Sequence, residues 1–190
     1  MIQYTDLDVT KIKFEKEIQE FKLIETEYRK RGVICTKVEF PCINLLFAVP
    51  HIQPSPIAFA VKIDYTNWDS EPPSVKIINP FTDEIINRQG VRMQFLQWNK
   101  SNNSAQDILV GDENPFFCIK GIKEYHMHPA HSGDSWLLHR TRGEGKLSDL
   151  IEKLMKYSVA QAGGYLIIVN DIKMNFPNLI IGTDTNRMKR

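Results

Sequence analysis

The chain has 190 residues, 42% hydrophobic and 25% charged, a balance that fits one globular domain with enough apolar side chains to build a core. Lysine plus arginine (24) nearly equals aspartate plus glutamate (23), and the formal net charge of +1 lacks the basic excess that phosphate binding needs, so no nucleic acid is expected as a partner. No apolar run approaches the roughly 18 residues of a membrane span, and residues 1–10, MIQYTDLDVT, lack the pattern of a secretory leader. Cys35, Cys42 and Cys118 form an odd set in a chain large enough to fold without cross-links, which points away from a disulfide framework and toward a reducing, cytoplasmic setting.

Over residues 10–31, apolar side chains fall at Phe14, Ile18, Phe21, Ile24 and Tyr28, steps of four, three, three and four that predict an amphipathic helix. A basic last turn followed by Gly32 matches the preference for cations and then glycine at a helix C-terminus. β-rich stretches follow at 33–40, 43–49, 57–65 and 74–78, separated by Pro41, the 50–56 segment and the Pro72-Pro73 turn. A helix followed by a run of strands predicts an α+β fold with an antiparallel β-meander. Residues 81–114 show no single period. Leu147, Leu150, Ile151, Leu154 and Met155 predict a C-terminal helix over 146–157, and Gly163-Gly164 precedes a strand expected at 165–169. The short basic clusters at 29–31 and 187–190 read as solvated surface.

Between Cys118 and His131 the sequence gathers a thiol, Glu124 and three of the five histidines, His126, His128 and His131. If residues 124–128 are extended, Glu124, His126 and His128 point to one side, because strand side chains alternate. Six residues of straight strand would put Cys118 about 20 Å away. A turn at Gly121 would bring it back, since glycine reaches positive φ cheaply, and His131 could close the set from the following loop. Cysteine, histidine and carboxylate suit zinc, with iron or manganese as alternatives. Four protein ligands would make a closed structural site, and three would leave a Lewis-acidic position. Which four of Cys118, Glu124, His126, His128 and His131 bind is left open. Cys35 and Cys42 lie in expected strands and read as small hydrophobes, and neither a phosphate-cradling glycine loop nor a serine elbow is present. No catalytic residue and no organic cofactor is therefore assigned.

The stretch from Pro115-Phe116-Phe117-Cys118 through Glu124-Tyr125-His126-Met127-His128-Pro129-Ala130-His131 to Gly133-Asp134-Ser135-Trp136 resembles a bacterial predicted metal-binding family named for its Cys, Glu, His and His residues. Genes of that family sit beside ubiquitin-like modifiers, their activating and conjugating enzymes and JAB-type peptidases. The resemblance implies that Cys118, Glu124 and two of the histidines are metal ligands. The whole layout is similar to a ubiquitin-conjugating enzyme: N-terminal helix, meander, a Pro-Pro lead into the strand at 74–78, a His-Pro pair and a C-terminal helix. That family carries His-Pro-Asn and then a catalytic cysteine. Here Ala130 follows His128-Pro129, Trp136 falls where the cysteine would be, and the extra length suggests an inserted segment around 81–115 of a single domain spanning 1–190. The resemblance implies a noncatalytic, zinc-binding accessory protein that binds a ubiquitin-like protein or its activating and conjugating enzymes, with no cysteine carrying a thioester. The alternative is a metal-dependent hydrolase with Glu124 as general base. Trp136 is expected to pack against the 146–157 helix.

Overall fold

The computed structural model describes residues 3–91, 93–99 and 103–162; the strand expected at 165–169 and the basic cluster at 187–190 lie outside them. Helix α1 runs over Leu7–Lys30, starting three residues before the expected position 10, because the Asp6 side chain accepts the Val9 N–H at 3.0 Å and caps the first turn. Its stripe buries Phe14, Ile18, Phe21 and Tyr28, while Ile24 stays 43% exposed. The helix ends at Arg31, and Gly32 takes φ +90°, a left-handed turn whose Cβ would meet the Ala48 carbonyl oxygen at 2.3 Å.

Four antiparallel strands follow in the order β1-β2-β3-β4: β1 Val33–Glu39, β2 Cys42–Ala48, β3 Ile57–Asp64 and β4 Ser74–Ile78. The register pairs Leu45 with Val61 and Val61 with Ile77, so one line of β-branched and aliphatic side chains crosses the sheet. Ile43, Leu45, Phe47, Phe59, Val61, Ile63, Val75 and Ile77 from these strands share one core cluster with the buried stripe of α1. These elements give the α+β layout expected from the sequence. Among the described residues no helix is long and apolar enough to cross a membrane.

The stretch without a clear period forms a two-stranded hairpin, β5 Leu96–Asn99 with β6 Ser104–Asp107, followed by β7 Leu109–Val110, which pairs with β8 Phe116–Phe117. Aromatic rings fasten this region to the sheet: Phe59 stacks on Phe47 at 4.5 Å and meets Phe95 edge-on at 4.9 Å, and Phe95 in turn meets Phe117 at 4.9 Å. Helix α2 spans Lys123–Met127 and α3 spans Leu147–Lys156, with Leu147, Leu150, Ile151, Leu154 and Met155 buried as their spacing predicts.

Candidate functional site

Phe117 is fully buried in the aromatic cluster, and the Cys118 N–H donates to the Ile108 carbonyl at 2.7 Å. These two anchors hold the half-buried Cys118 at the edge of the core. Gly121 takes φ +94°, a conformation only glycine enters cheaply, and an added Cβ would lie 2.6 Å from the Gly145 nitrogen. The chain turns there, as expected, but it enters α2 rather than a second strand of a hairpin.

The extended reading of residues 124–128 is therefore corrected. In a helix, successive side chains turn by about 100°, so Glu124 and His126 diverge instead of sharing a face. Tertiary contacts start this short helix: the Lys123 N–H donates to the Pro73 carbonyl at 2.9 Å and the Lys123 ammonium to Glu71 at 2.6 Å. Glu124 reaches β4, where its Oε1 accepts the Ser74 hydroxyl and lies 2.9 Å from the Lys76 ammonium. His126 spends both ring nitrogens locally, Nδ1 donating to the Asp134 carbonyl at 2.7 Å and Nε2 accepting the Gly121 N–H at 3.3 Å. Burial lowers its pKa and so favours this neutral form.

Cys118 and His131 do come together. The Cys118 Sγ stands 3.1 Å from His131 Nε2, and His131 stacks on the Tyr125 ring at 4.0 Å with 20° between planes. His128 sits beside them, its ring 5.7 Å from that of His131, and its Nδ1 accepts the Ala130 N–H at 3.3 Å, leaving Nε2 without a hydrogen bond among the described residues. Burial pushes the Cys118 thiol up, so the imidazole beside it is the group placed to take its proton.

The pair lines a cleft of about 420 Å³, which also takes in Tyr125, Lys120 and Tyr157. Gln97 and Gln106, cross-strand partners in the β5–β6 hairpin, line the cleft as well. The segment that carried no readable period thus contributes to the wall.

Behind Tyr125 lies a charged network that the sequence did not disclose. Asp134 accepts the Tyr125 hydroxyl at 2.8 Å and His139 Nε2, and lies 3.2 Å from the Lys120 ammonium. His139, 5% exposed, has its other ring nitrogen 2.7 Å from Glu144 Oε2. Donation from His139 and Tyr125 holds the Asp134 carboxyl below the usual aspartate range, while burial and Asp134 push the Tyr125 phenol up to about 12. The density of titratable groups between Lys120 and Glu144 was the available signal, but their pairing depends on the turns between them.

A tetrahedral zinc with a thiolate at about 2.3 Å and an imidazole at about 2.0 Å separates those two donors by roughly 3.5 Å. Cys118 and His131 are close to that spacing and fit two corners, and His128 has a free nitrogen nearby. Glu124 and His126 are engaged with other partners. Among the described residues no group of three or more His, Cys, Asp or Glu side chains is arranged to hold a metal ion.

Cys35 and Cys42 are half-buried in β1 and β2, with thiols pushed up chiefly by burial. Trp136 is buried, and its Nε1 donates to the Asp69 carbonyl at 2.8 Å. Its ring lies 5.9 Å from Trp68 and 5.5 Å from His126, so its aromatic and polar partners are the β3–β4 connection and α2.

Fold and site together define an α+β protein with a thiol–imidazole pair in a cleft. The chain belongs to the Y4jH family, whose Y4jH-like description matches residues 5–111 and 100–162. It is 33% identical over 179 residues to the uncharacterized protein y4jH of Sinorhizobium fredii (strain NBRC 101917 / NGR234), an alignment covering 85% of this chain and 87% of that protein.

Proposed function

We propose that this chain is a cysteine-dependent acyl-transfer protein of a bacterial ubiquitin-like modification system, with Cys118 as nucleophile and His131 as its base. The observation that carries this reading is the 3.1 Å approach of Sγ to Nε2 in an open cleft. A neutral thiol beside an imidazole is the arrangement that lets sulfur attack as its proton leaves. Sγ bonds to the carbonyl carbon of an activated acyl group while the S–H proton passes to His131 Nε2. The leaving thiol or amine departs with that proton, and the acyl group remains on Cys118 as a thioester until an amine or water takes it. The setting in ubiquitin-like modification is supported by the resemblance of residues 115–136 to the Cys-Glu-His-His family and by the conjugating-enzyme-like order of α1, β1–β4, His128-Pro129 and α3.

Trp136 stands where conjugating enzymes carry their cysteine, and its burial leaves Cys118 as the thiol of this region. That placement is the reason for assigning Cys118 the thioester that the sequence did not lead us to expect.

The test uses a synthetic peptide thioester ending in Gly-Gly. Intact-mass spectrometry should show one acyl adduct, labile to hydroxylamine, that maps to Cys118, is lost in Cys118→Ala and forms more slowly in His131→Ala. Absence of an adduct, or equal labelling of Cys35 and Cys42, would sink the reading.

A second reading keeps the noncatalytic zinc-binding accessory role, and the free Nε2 of His128 beside the pair favours it. Cys118 and His131 would supply two ligands and the His128 ring would turn in as the third on binding, and the metal would then deprotonate the thiol and lock the 118–131 loop. Stoichiometric zinc in untagged protein, lost on His128→Ala, would select this role and remove Cys118 as a nucleophile.

A further inference from the structure

We infer that Tyr125 is the positioning residue of the Cys118–His131 centre: its ring fixes the plane of the His131 imidazole, and Asp134 fixes the ring. The inference rests on the thiol–imidazole reading above and adds the device that aims the base.

In a nucleophile–base pair, a third group commonly orients the imidazole through the nitrogen that does not face the nucleophile. His131 has no such partner: among the described residues its only ring hydrogen-bond contact is Nε2 to Cys118. Its backbone sits in a three-residue 3-10 turn, Pro129–His131, tied by its N–H to the His128 carbonyl at 2.9 Å, and the ring torsion of a histidine is intrinsically broad. What removes that freedom is the Tyr125 face, 4.0 Å away and within 20° of parallel.

A stacked ring can orient its partner only if it cannot turn itself. Tyr125 is 8% exposed, and its hydroxyl donates to Asp134 Oδ2 at 2.8 Å. Asp134 is fixed in turn by His139 Nε2 on its other carboxylate oxygen and by Lys120 at 3.2 Å, while its backbone carbonyl accepts His126 Nδ1 at 2.7 Å. Four side chains, Asp134, His139, Lys120 and His126, therefore converge on the far end of the plate. Tyr125 lines the cleft but acts through His131, so it is a positioning residue and not a catalytic one.

The test needs no knowledge of the substrate. Full-length protein is labelled with iodoacetamide over the pH range in which a thiol ionises, and each cysteine is followed separately by peptide mass spectrometry, with Cys35 and Cys42 as internal controls of folding. Wild type is compared with His131→Ala, Tyr125→Leu, Tyr125→Phe and Asp134→Asn. Tyr125→Leu should bring Cys118 labelling down to the His131→Ala rate and move its pH profile to the His131→Ala profile. Tyr125→Phe and Asp134→Asn keep the ring and lose its anchor, so they should label Cys118 roughly 2- to 10-fold more slowly than wild type. Cys35 and Cys42 should be unchanged. A purely structural role would speed all three cysteines together even in Tyr125→Phe, and that outcome would overturn the inference. Should the leucine variant loosen the fold in that way, Tyr125→Phe decides. Wild-type Cys118 rates and profiles in both tyrosine variants, with His131→Ala slowed, overturn the positioning role alone. A His131→Ala protein that labels like wild type overturns the centre itself and the positioning role with it.

Discussion

The Glu17 carboxylate of α1 accepts the Leu147 N–H at 2.9 Å, so a side chain of the first helix caps the start of α3, whose own N-cap, Lys146, offers no side-chain acceptor. The contact is buried, with Glu17 5% exposed, and it fixes how α3 sits against α1. An N-terminal N–H left without an acceptor inside a protein is costly, and this one is supplied across 130 positions of sequence.

Burial raises the pKa of Glu17 above its ordinary value despite the Leu147 N–H, which acts in the opposite direction. A raised carboxyl contributes stability that is fully present below the unfolded value and is lost as pH rises through the folded one. Glu17→Gln keeps an acceptor without the charge, so its urea midpoint at neutral pH should exceed that of wild type, with a flatter pH dependence. Glu17→Ala strands the N–H and should cost about 1–3 kcal/mol. A glutamine variant less stable than wild type at neutral pH would refute the assignment.

Trp136→Ala removes a buried indole together with its bond to the Asp69 carbonyl, and should lower unfolding free energy by about 3–5 kcal/mol in chemical denaturation. Trp136→Phe retains most of the ring contact with Trp68 and loses only the donor, and should cost about 0.5–1.5 kcal/mol. Equal losses in the two variants would show that the hydrogen bond, and not the packing, dominates.

Gly121→Ala forces a side chain into positive φ and against the Gly145 nitrogen, so a loss of about 1–3 kcal/mol is expected. Gly133→Ala is the control: nothing lies within 4 Å of its added Cβ, and its thermal midpoint should match wild type. The two should also separate in thioester formation, because Gly121 donates to His126 and leads the chain from Cys118 into α2.

Asp134 lies on the opposite side of the linkage from Glu17. Donors from His139 and Tyr125 depress its pKa, so its contribution is present above the unfolded aspartate value and is lost as pH falls through the still lower folded one. Asp134→Asn should be less stable than wild type at neutral pH, and the gap should close on acidification. A constant difference in urea midpoint across that range would mean that the carboxylate charge is not what the network stabilises.

The sequence by itself determined the elements whose pattern repeats over several turns or a full strand. The spacing of Phe14, Ile18, Phe21 and Tyr28 fixed the buried face of α1, and Leu147, Leu150, Ile151 and Leu154 did the same for α3. The proline-separated β-rich runs marked the four strands of the meander. These signals are legible because each residue reports the same burial direction as its neighbours one period away. The crowding of Cys118, Glu124, His126, His128 and His131 also marked the segment in which Cys118 and His131 come to face each other. Their division into partners was a tertiary matter. Five residues are too few to show a helical period or to hold a helix alone, and α2 forms because Pro73, Glu71, Ser74 and Lys76 engage Lys123 and Glu124 from another part of the chain. That helix turns Glu124 and His126 apart, carries Tyr125 under His131 and leaves the imidazole facing Cys118. The cleft beside them depends on the β5–β6 hairpin, whose small, exposed strands have little alternation to read and whose place is set by Phe95 packing between Phe59 and Phe117. Periodicity encodes which side of an element is buried; which elements meet, and therefore which thiol finds which imidazole, is settled only when the core closes.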